Sequence, residues 1–335
     1  MLLIKSNITI NKKQETNNQL LLFSLNFLLL HPLINSGKYL VVIAGPTAVG
    51  KTDIAIKLAK EWNSEIISAD SRQFYKEMSI GTAKPDAVQL GKVKHHFVGH
   101  LSIHDYFNVS KYETESLRLL KGLFEQHDLV FMVGGSGLYI DAVCRGIDDF
   151  PDPEPEYRSY LKGIYQDEGI LKLQQMLSEL DPEYFSTVDK NNPNRLLRAL
   201  EVCQSTGRKF SEQRLNSSKQ RDFQIIKIGL NLPRLELFSR IELRVDQMIE
   251  KGLVKEVQSL LPDRHLNALN TVGYKEIFDY LDSKITLEQA IVNIKTNTRR
   301  YAKRQLTWFK RTDEYTWFEP DQLNEITNFL TMTCK

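Results

Sequence analysis

The segment from Lys38 to Ala59 constrains the fold more than any other part of this 335-residue chain. It reads KYLVVIA, then GPTAVGKT, and then a pattern in which Ile54, Ile56 and Leu58 recur among polar residues. A continuous apolar run rich in β-branched residues is typical of a strand that is buried on both faces. The order of strand, glycine-rich loop and helix therefore predicts a parallel α/β unit with the loop at the carboxyl edge of its sheet.

The loop fits the G-x-x-x-x-G-K-[ST] motif, which predicts a phosphate site. Its glycines let backbone N–H groups converge on phosphate oxygens, Lys51 adds a positive charge, and the Thr52 hydroxyl can reach a Mg²⁺ ion. The motif leaves open which molecule carries the phosphates. We predict that the ligand phosphates, with Mg²⁺ as cofactor, bind the loop residues Gly45, Pro46, Thr47, Ala48, Val49, Gly50, Lys51 and Thr52.

The rest of the chain continues the alternation of strands and helices. Runs 65–69, 129–133 and 224–232 have strand character, and helical patterns separate them. This order predicts an α/β fold, a P-loop NTPase-like parallel sheet flanked by helices. The proline-rich stretch DDFPDPEPEY after residue 147 marks a boundary. We expect an N-terminal extension at 1–37, a first part of the core at 38–148, a small helical insertion domain at 149–192, a second part of the core with C-terminal helices at 193–315, and a C-terminal tail at 316–335.

Residues 1–37 have the layout of a signal peptide, with lysines before the apolar run LLLFSLNFLLL. No A-x-A-like cleavage site follows, the first strand begins a few residues later, and the run is too short to span a bilayer. We interpret the segment as an extension outside the fold, or as an over-called start. The three widely spaced cysteines fit free thiols in a reducing compartment. We therefore expect a cytoplasmic protein with no membrane part.

The ends of the second and third strands carry candidate catalytic groups. The run 129–133 is followed by GGSGLY, where ATP-hydrolysing proteins carry an acidic Mg²⁺ ligand. This GGSG is either a tight turn or a close approach of the backbone and the Ser136 hydroxyl to a ligand. Asp70 follows the second strand, where an aspartate is often a turn or cap residue. At this edge of a sheet its carboxylate could instead accept a proton from an attacking nucleophile.

A short segment concentrates positive charge in a chain whose net charge is only +2. Between residues 295 and 311 there are seven cations and no acid, interleaved with Tyr301, Trp308 and Phe309. Scattered charges usually form a solvated face, but cations beside aromatic rings indicate contact with single-stranded or loop RNA. The histidine-rich segment KHHFVGHLSIHD lacks the spacing of known zinc motifs, so we predict no metal there.

Taken together, these residues resemble the tRNA dimethylallyltransferases, also called tRNA isopentenyltransferases. The matching blocks follow the family's order between about residues 39 and 311, and they are GPTAVGKT, ISADSRQFY, IGTAKP, VGGSGLY, NNPNRLLRALEV, TVGYKE and KRQLTWF. The resemblance implies transfer of a prenyl group from dimethylallyl diphosphate to N6 of the adenine on the 3′ side of the tRNA anticodon, with release of diphosphate. It also implies that the adenine is flipped out of its stack to meet the donor.

The resemblance assigns roles to individual residues of this sequence. Asp70 is implied to be the base, with Lys51, Thr52, Ser136 and Arg240 completing the catalytic set; Ser136 stands where the family usually has threonine. Arg234 and Arg240 are implied to hold the diphosphate. The partners would be dimethylallyl diphosphate and the tRNA anticodon stem-loop, and we expect a monomer. The implied tRNA contacts are Asp70, Ser71, Arg72, Gln73, Ser136, Arg158 on the insertion domain, Asn194, Arg195, Leu196, Leu197, Arg198, Asn270, Thr271, Val272, Gly273, Tyr274, Lys275, Lys303, Arg304, Gln305, Leu306, Thr307, Trp308, Phe309 and Lys310.

Three other functions are alternatives for the same residues. An adenylate isopentenyltransferase acting on free AMP, ADP or ATP would share the loop and Asp70, but it would not need the KRQLTWF block and its cations. A nucleotide kinase or ATPase is disfavoured by the missing acidic strand end. A non-catalytic RNA-binding protein is disfavoured because Lys51, Thr52 and Asp70 are all present.

Overall fold

A computed structural model describes residues 37–148, 150–152, 154–214 and 218–334. Except for Gly37, the predicted N-terminal extension lies outside these ranges. The chain forms two compact units. The described part of the larger unit covers 37–105, 120–137 and 222–334, and that of the smaller unit lies within 106–119 and 138–221.

The elements alternate in the first part of the chain and are mostly helical afterwards. The first eight are β1 (Tyr39–Ala44), α1 (Lys51–Glu61), β2 (Ile66–Ser68), α2 (Ala87–Lys92), β3 (His95–His96), α3 (Val109–Leu123), β4 (Leu129–Gly134) and α4 (Gly137–Arg145). Five helices follow: α5 (Pro155–Glu168), α6 (Ile170–Leu180), α7 (Pro182–Thr187), α8 (Pro193–Thr206) and α9 (Phe210–Gln213). The chain then forms β5 (Gln224–Leu230), α10 (Arg234–Glu250), α11 (Leu253–Ser259), two 3₁₀ turns (Leu261–Asp263 and Asn267–Leu269), α12 (Tyr274–Leu281), α13 (Leu287–Phe309), β6 (Thr316–Phe318) and α14 (Leu323–Thr333).

The larger unit is built on a parallel sheet of six strands in the order β3-β2-β4-β1-β5-β6. β1 is central, with Tyr39 opposite Leu129 on one side and opposite Gln224 on the other. Every residue of β1 and β4 is buried, as their continuous apolar runs predict. The predicted α/β class is confirmed. Because all strands are parallel, the segments after β1, β2 and β4 meet at one edge of the sheet.

The two edge strands were not predicted from the sequence, because each is too short to show a periodic pattern. β3 contains only His95 and His96 and pairs with β2, and β6 pairs with β5. The segment 316–335, which the sequence analysis leaves as a tail, supplies β6 and α14. Ile326 and Leu330 of α14 are fully buried in the main core beside the apolar residues of α1.

The smaller unit packs its helices around an apolar cluster that includes Leu161, Leu173, Leu177, Leu196 and Leu200. α8 begins at Pro193 as the sequence predicts, with the side chain of the N-cap residue accepting a hydrogen bond from a backbone N–H of the first turn. The unit extends beyond the predicted insertion 149–192, because the apolar face of α8 belongs to the same cluster. None of the helices described has the length and apolarity that crossing a bilayer requires.

Candidate active site

The glycine-rich loop between β1 and α1 has an unusual backbone. Ala48 and Gly50 have positive φ angles of 67° and 104°, in the left-handed region that favours glycine. A side chain at Gly45 would collide with the backbone, because a Cβ there would lie 2.5 Å from the Leu230 carbonyl oxygen. α1 begins at Lys51, directly after the loop, so the positive end of its dipole and its free N–H groups face the loop.

Lys51 lies against the loop backbone. Its Nζ donates hydrogen bonds to the carbonyls of Gly45 at 3.0 Å and Pro46 at 2.8 Å. Burial lowers the pKa of Lys51 to about 7; nearby Asp70 raises it and Arg244 lowers it further, both by smaller amounts. A phosphate beside the ammonium would favour its charged form. Binding of an anion at the loop would therefore increase the positive charge on Lys51.

The loop opens into a cavity of ≈ 780 Å³, within the size range of small-molecule sites. Lys51, Arg240 and Arg244 provide positive charge, and Asp53 and Asp70 provide carboxylates. The lining residues include Thr47, Ala48, Gly50, Lys51, Thr52, Asp53, Asp70, Gln73, Ser79, Ile80, Thr82, Ala83, Lys84, Val133, Gly134, Arg240, Leu243, Arg244, Met248, Tyr301 and Gln305. The arrangement suits an anionic ligand.

Arg244 is a cavity residue that the sequence analysis did not single out. Its Nη1 lies 3.3 Å from the Thr47 hydroxyl on the loop. Burial lowers the pKa of Arg244, and Asp70 acts in the opposite direction. The signal was present in the sequence: Arg240 and Arg244 are four residues apart on α10, so they lie on one helical face.

Arg234 does not reach the loop. It lies in a second cavity of ≈ 870 Å³, with its guanidinium 5.1 Å from the ring centroid of Phe238. Arg234 and Arg240 are six residues apart, which rotates their side chains by about 240° around a helix with 3.6 residues per turn. The two arginines predicted to share the diphosphate thus belong to different cavities.

The surroundings of Asp70 fit both interpretations of this residue, as a turn-capping residue and as a proton acceptor. Its Oδ1 accepts a hydrogen bond from the Arg72 backbone N–H at 3.0 Å, which is the turn-capping role. Among the described residues Oδ2 has no hydrogen-bond partner, and the side chain lines the cavity at the glycine-rich loop. One carboxylate oxygen therefore fixes the turn, and the other can accept a proton.

Ser136 lies beside the same turn. Its hydroxyl accepts a hydrogen bond from the Ser71 backbone N–H at 3.0 Å and is 3.3 Å from the Ser71 hydroxyl. Tyr301 on α13 lines the same cavity, and burial raises the pKa of this tyrosine to about 12, with Asp70 contributing. No motif identified Tyr301 as a cavity residue, because its place in the cavity depends on how α13 packs.

Gln305 ties two parts of the site together. Its Oε1 accepts from the Thr47 backbone N–H and its Nε2 donates to the Gly135 carbonyl, each at 2.9 Å. A Cβ at Gly137 would lie 2.1 Å from the Trp308 ring, so this glycine lets the ring approach the backbone. α13 thus holds the glycine-rich loop against the GGSG segment.

The loop Ser79–Gly81, at the start of the IGTAKP block, is anchored by Glu256 of α11. The carboxylate accepts from the backbone N–H groups of Ser79 at 3.0 Å, Ile80 at 2.7 Å and Gly81 at 3.0 Å, and from the Tyr274 hydroxyl at 2.7 Å. Neither the spacing nor a motif pointed to Glu256. Its four donors come from two distant segments, which only the tertiary structure brings together.

Several predicted tRNA contacts have buried side chains, which leaves little side-chain surface for RNA at these positions. Leu196 and Tyr274 are 0% exposed, Phe309 1% and Gln305 6%. They lie on the inward faces of their helices, where they support exposed neighbours. The predicted contacts with exposed side chains are Asn194, Arg195, Asn270, Lys275, Lys303, Arg304, Thr307 and Lys310.

Two predicted RNA contacts in the smaller unit share one buried carboxylate. The Nε atom of Arg158 lies 2.8 Å from Glu201 Oε1, and Arg198 Nη1 lies 3.6 Å from the other oxygen. Glu201 is only 2% exposed, whereas both arginines are partly exposed. The carboxylate therefore restrains both guanidinium groups at the surface.

The oxygen atoms at the cavity suit Mg²⁺. Thr52, Asp53 and Asp70 line it, and hydroxyl and carboxylate oxygens are the ligands this ion prefers. Among the described residues, no group of three or more His, Cys, Asp or Glu side chains could hold a metal. Mg²⁺ is commonly held by one or two carboxylates together with substrate phosphates, so these residues fit an ion shared with a diphosphate.

The fold and the loop define the class of the chain: an α/β protein with a glycine-rich loop and a cavity at the carboxyl edge of a parallel sheet. The model of the family described as IPP transferase matches residues 73–312. The chain therefore belongs to the IPP transferase family, as the sequence motifs indicated.

Curated relatives and solved structures agree with this family. The tRNA dimethylallyltransferase 1 of Bacteroides fragilis is 48% identical over 300 residues, which cover 90% of this chain and 100% of the relative. The tRNA dimethylallyltransferase of Christiangramia forsetii is 52% identical over 284 residues, which cover 85% of this chain and 94% of the relative. The solved tRNA isopentenylpyrophosphate transferase of Bacillus halodurans is 38% identical, with a TM-score of 0.64 over 89% of this chain and 97% of that one. A eukaryotic dimethylallyltransferase described as acting on tRNA is 25% identical, with a TM-score of 0.72. The match covers 88% of this chain and 80% of that one.

Proposed function

We propose that this protein transfers the dimethylallyl group of dimethylallyl diphosphate to N6 of the adenine 3′-adjacent to the anticodon of tRNA, and releases diphosphate. The observation that carries the proposal is the convergence of Lys51, Arg240 and Arg244 with the Asp70 carboxylate in one cavity. Phosphate-binding groups and a proton acceptor lie within reach of one ligand. Relatives that match most of the chain are named tRNA dimethylallyltransferases.

The cationic side of the cavity acts on the leaving group. When the bond between the allylic carbon and oxygen breaks, the diphosphate takes the electron pair and gains negative charge. Lys51, Arg240, Arg244 and the N–H groups at the start of α1 balance this charge. A Mg²⁺ ion held by Thr52 and a carboxylate would supply further charge neutralisation on the diphosphate.

The carboxylate side of the cavity acts on the nucleophile. The exocyclic N6 amine of adenine is weakly nucleophilic, and it must lose a proton as its bond to carbon forms. Asp70 Oδ2 accepts that proton, while Oδ1 stays bonded to the turn and keeps the carboxylate in place.

The exposed cations near the end of α13 support RNA as the carrier of the adenine. Lys303, Arg304 and Lys310 are exposed, and a substrate with a phosphate backbone would use them. A free nucleotide would not need this face, and the relatives that name their substrate name tRNA. Both points favour tRNA over free AMP.

The direct experiment supplies the protein with dimethylallyl diphosphate, Mg²⁺ and either an unmodified anticodon stem-loop or AMP. We expect prenylated adenosine, detected by mass, in the RNA arm alone. Product only with AMP would establish the free-nucleotide activity instead. ATP without a prenyl donor serves as the control, and phosphate release in that arm would indicate a hydrolase.

A further inference from the structure

A second cavity of the larger unit, which we call the Arg234 cavity, lies apart from the glycine-rich loop. Its volume is ≈ 870 Å³, and none of the described residues lines both this cavity and the one at the loop. The two cavities use different faces of the same two helices. From α10, Phe238 lines the Arg234 cavity and Arg240 lines the cavity at the loop. From α13, Leu306 lines the first and Gln305 the second. The Arg234 cavity is therefore a separate site.

The wall of the Arg234 cavity is mostly apolar. Leu232, Leu237 and Ala302 line it and are buried. The rings of Trp317 and Phe318, from β6, also line it and are partly exposed. A cavity of this size with aliphatic and aromatic walls removes the hydrocarbon part of a ligand from water, which is favourable in proportion to the apolar area covered. The wall therefore suits the apolar part of a small molecule.

Positive charge surrounds the opening of the Arg234 cavity. Arg234, Arg300 and Lys303 line the cavity with exposed side chains, and among the described residues no carboxylate forms an ion pair with any of the three. Arg299 is a fourth lining cation, and its charge is partly compensated by Glu242. In the part of the chain that the structure describes, the lining residues include a single carboxylate. The opening thus has an excess of positive charge, which attracts an anion.

Phe238 joins the charged and the apolar parts of the cavity. The guanidinium of Arg234 lies 5.1 Å from the centroid of its ring, and that of Arg299 lies 5.7 Å from the same centroid. Cation–π contacts of this kind hold a guanidinium against an aromatic ring. Arg234 is therefore held beside the apolar wall. One small ligand can place a charged group on this arginine and a hydrocarbon chain against the wall.

We propose that the Arg234 cavity binds a small amphipathic anion, with its hydrocarbon chain against the apolar wall and its carboxylate or phosphate head on Arg234, Arg300 and Lys303. The excess of positive charge disfavours a cationic amphiphile. RNA phosphates could use the exposed cations, but they would leave the apolar wall uncovered. The inference does not depend on the proposed transfer reaction, because binding requires neither the prenyl donor nor tRNA.

The test titrates the full-length wild type calorimetrically with linear alkyl phosphates from butyl to decyl, below their micelle concentrations. Inorganic diphosphate and Mg²⁺ are present throughout to occupy the glycine-rich loop. The affinity should rise by up to about fourfold for each added methylene group. The alkyl carboxylates from pentanoate to undecanoate form the second arm, and the series that binds more tightly identifies the head group. An affinity that does not depend on chain length in either series would overturn the proposal, since it would leave only surface attraction of an anion.

Charge variants test the head group's site. Arg234→Gln with Arg300→Gln should weaken decyl phosphate binding by up to about 30-fold, because each exposed ion pair contributes up to about fivefold. Lys57→Gln with Lys121→Gln removes two exposed charges elsewhere in the chain and should leave the affinity unchanged. Equal affinities of the two double variants would contradict the assignment of the head group to the Arg234 cavity.

Two further variants locate the hydrocarbon chain. Thr296→Trp places a large side chain in the cavity and should abolish the dependence on chain length, with circular dichroism to check folding. Trp317→Phe should still bind decyl phosphate in the calorimeter but should lose most of the change in tryptophan fluorescence that binding produces in the wild type. A fluorescence change that survives Trp317→Phe would place the ligand elsewhere. A wild type that transfers the prenyl group but does not bind the alkyl anions would refute this inference alone.

Discussion

At the scale of single residues, Lys51 shows how burial prepares a side chain for an anion. Its pKa of about 7 means that burial has removed most of the preference for the charged form at neutral pH. Bound diphosphate restores that preference, so binding should be coupled to proton uptake.

We therefore expect the affinity for dimethylallyl diphosphate to fall as the pH rises above about 7. Below this pH both the free and the bound protein carry a charged Lys51. Above it the free protein must first gain a proton, which weakens binding by up to about tenfold per pH unit. Calorimetric titration between pH 6 and 9 measures the slope.

The ligand also titrates, so Lys51→Arg is the control, because arginine stays charged throughout this range. The affinity of Lys51→Arg should change with pH only as far as the ligand itself titrates. Lys57→Arg, on the exposed face of the same helix, should match the wild type. A wild-type profile that coincides with that of Lys51→Arg would contradict the assignment.

Asp70 gives the second prediction at this scale. Asp70→Asn keeps an oxygen for the Arg72 N–H but removes the proton acceptor, so turnover should fall about 10²–10⁴-fold while the stem-loop still binds. Single-turnover rates and a filter-binding assay separate the two quantities. Equal losses of rate and binding would make Asp70 a structural residue, and Asp167→Asn, at an exposed position of α5 in the smaller unit, is the control.

At the scale of elements, the cavity wall depends on anchors between segments that are distant in sequence. Glu256 of α11 accepts three backbone N–H groups of the loop Ser79–Gly81 and the Tyr274 hydroxyl of α12. Burial and the adjacent Glu256 carboxylate raise the pKa of Tyr274, which keeps its phenol a donor to that carboxylate. The carboxylate thus joins three segments of the larger unit.

Glu256→Gln should lower the free energy of unfolding by about 2–4 kcal/mol. An amide nitrogen would replace one acceptor and would face N–H groups that are also donors, and losing a bond to a charged acceptor typically costs about 1.5–3 kcal/mol. Urea denaturation followed by circular dichroism measures the change. Glu250→Gln, an exposed glutamate at the end of α10, should stay within about 0.5 kcal/mol of the wild type. Similar values for the two variants would show that the anchor contributes little.

At the scale of the whole molecule, the distribution of charge decides how RNA can bind. Of the cations in the basic segment, Arg299 is paired with Glu242 and Lys295 with Asp246, so their charges are partly compensated. Lys303 and Arg304 are exposed, and no acidic partner contacts them among the described residues. The cationic face available to RNA is therefore smaller than the seven charges in the sequence imply.

Lys303→Gln with Arg304→Gln should weaken stem-loop binding and reduce the slope of log affinity against log salt by about 1 to 2, since each lost phosphate contact removes about 0.7–0.9. Fluorescence anisotropy at several salt concentrations measures this slope. Lys57→Gln, which removes an exposed charge on α1, should leave it unchanged. An unchanged slope in the double variant would place the RNA contacts elsewhere.

The sequence alone determined the glycine-rich loop, the parallel sheet and the family, because these depend on motifs and periodicities within short segments. Only the tertiary structure decided that Arg244 joins Lys51 while Arg234 faces another cavity, and that Gln305, predicted to contact RNA, holds the glycine-rich loop. Gln305 bonds to Thr47, which is 258 positions away, and Glu256 bonds to a loop about 176 positions away. Contacts between such distant residues produce no periodic pattern in the sequence. They depend on which face of a helix meets which loop once the core has packed.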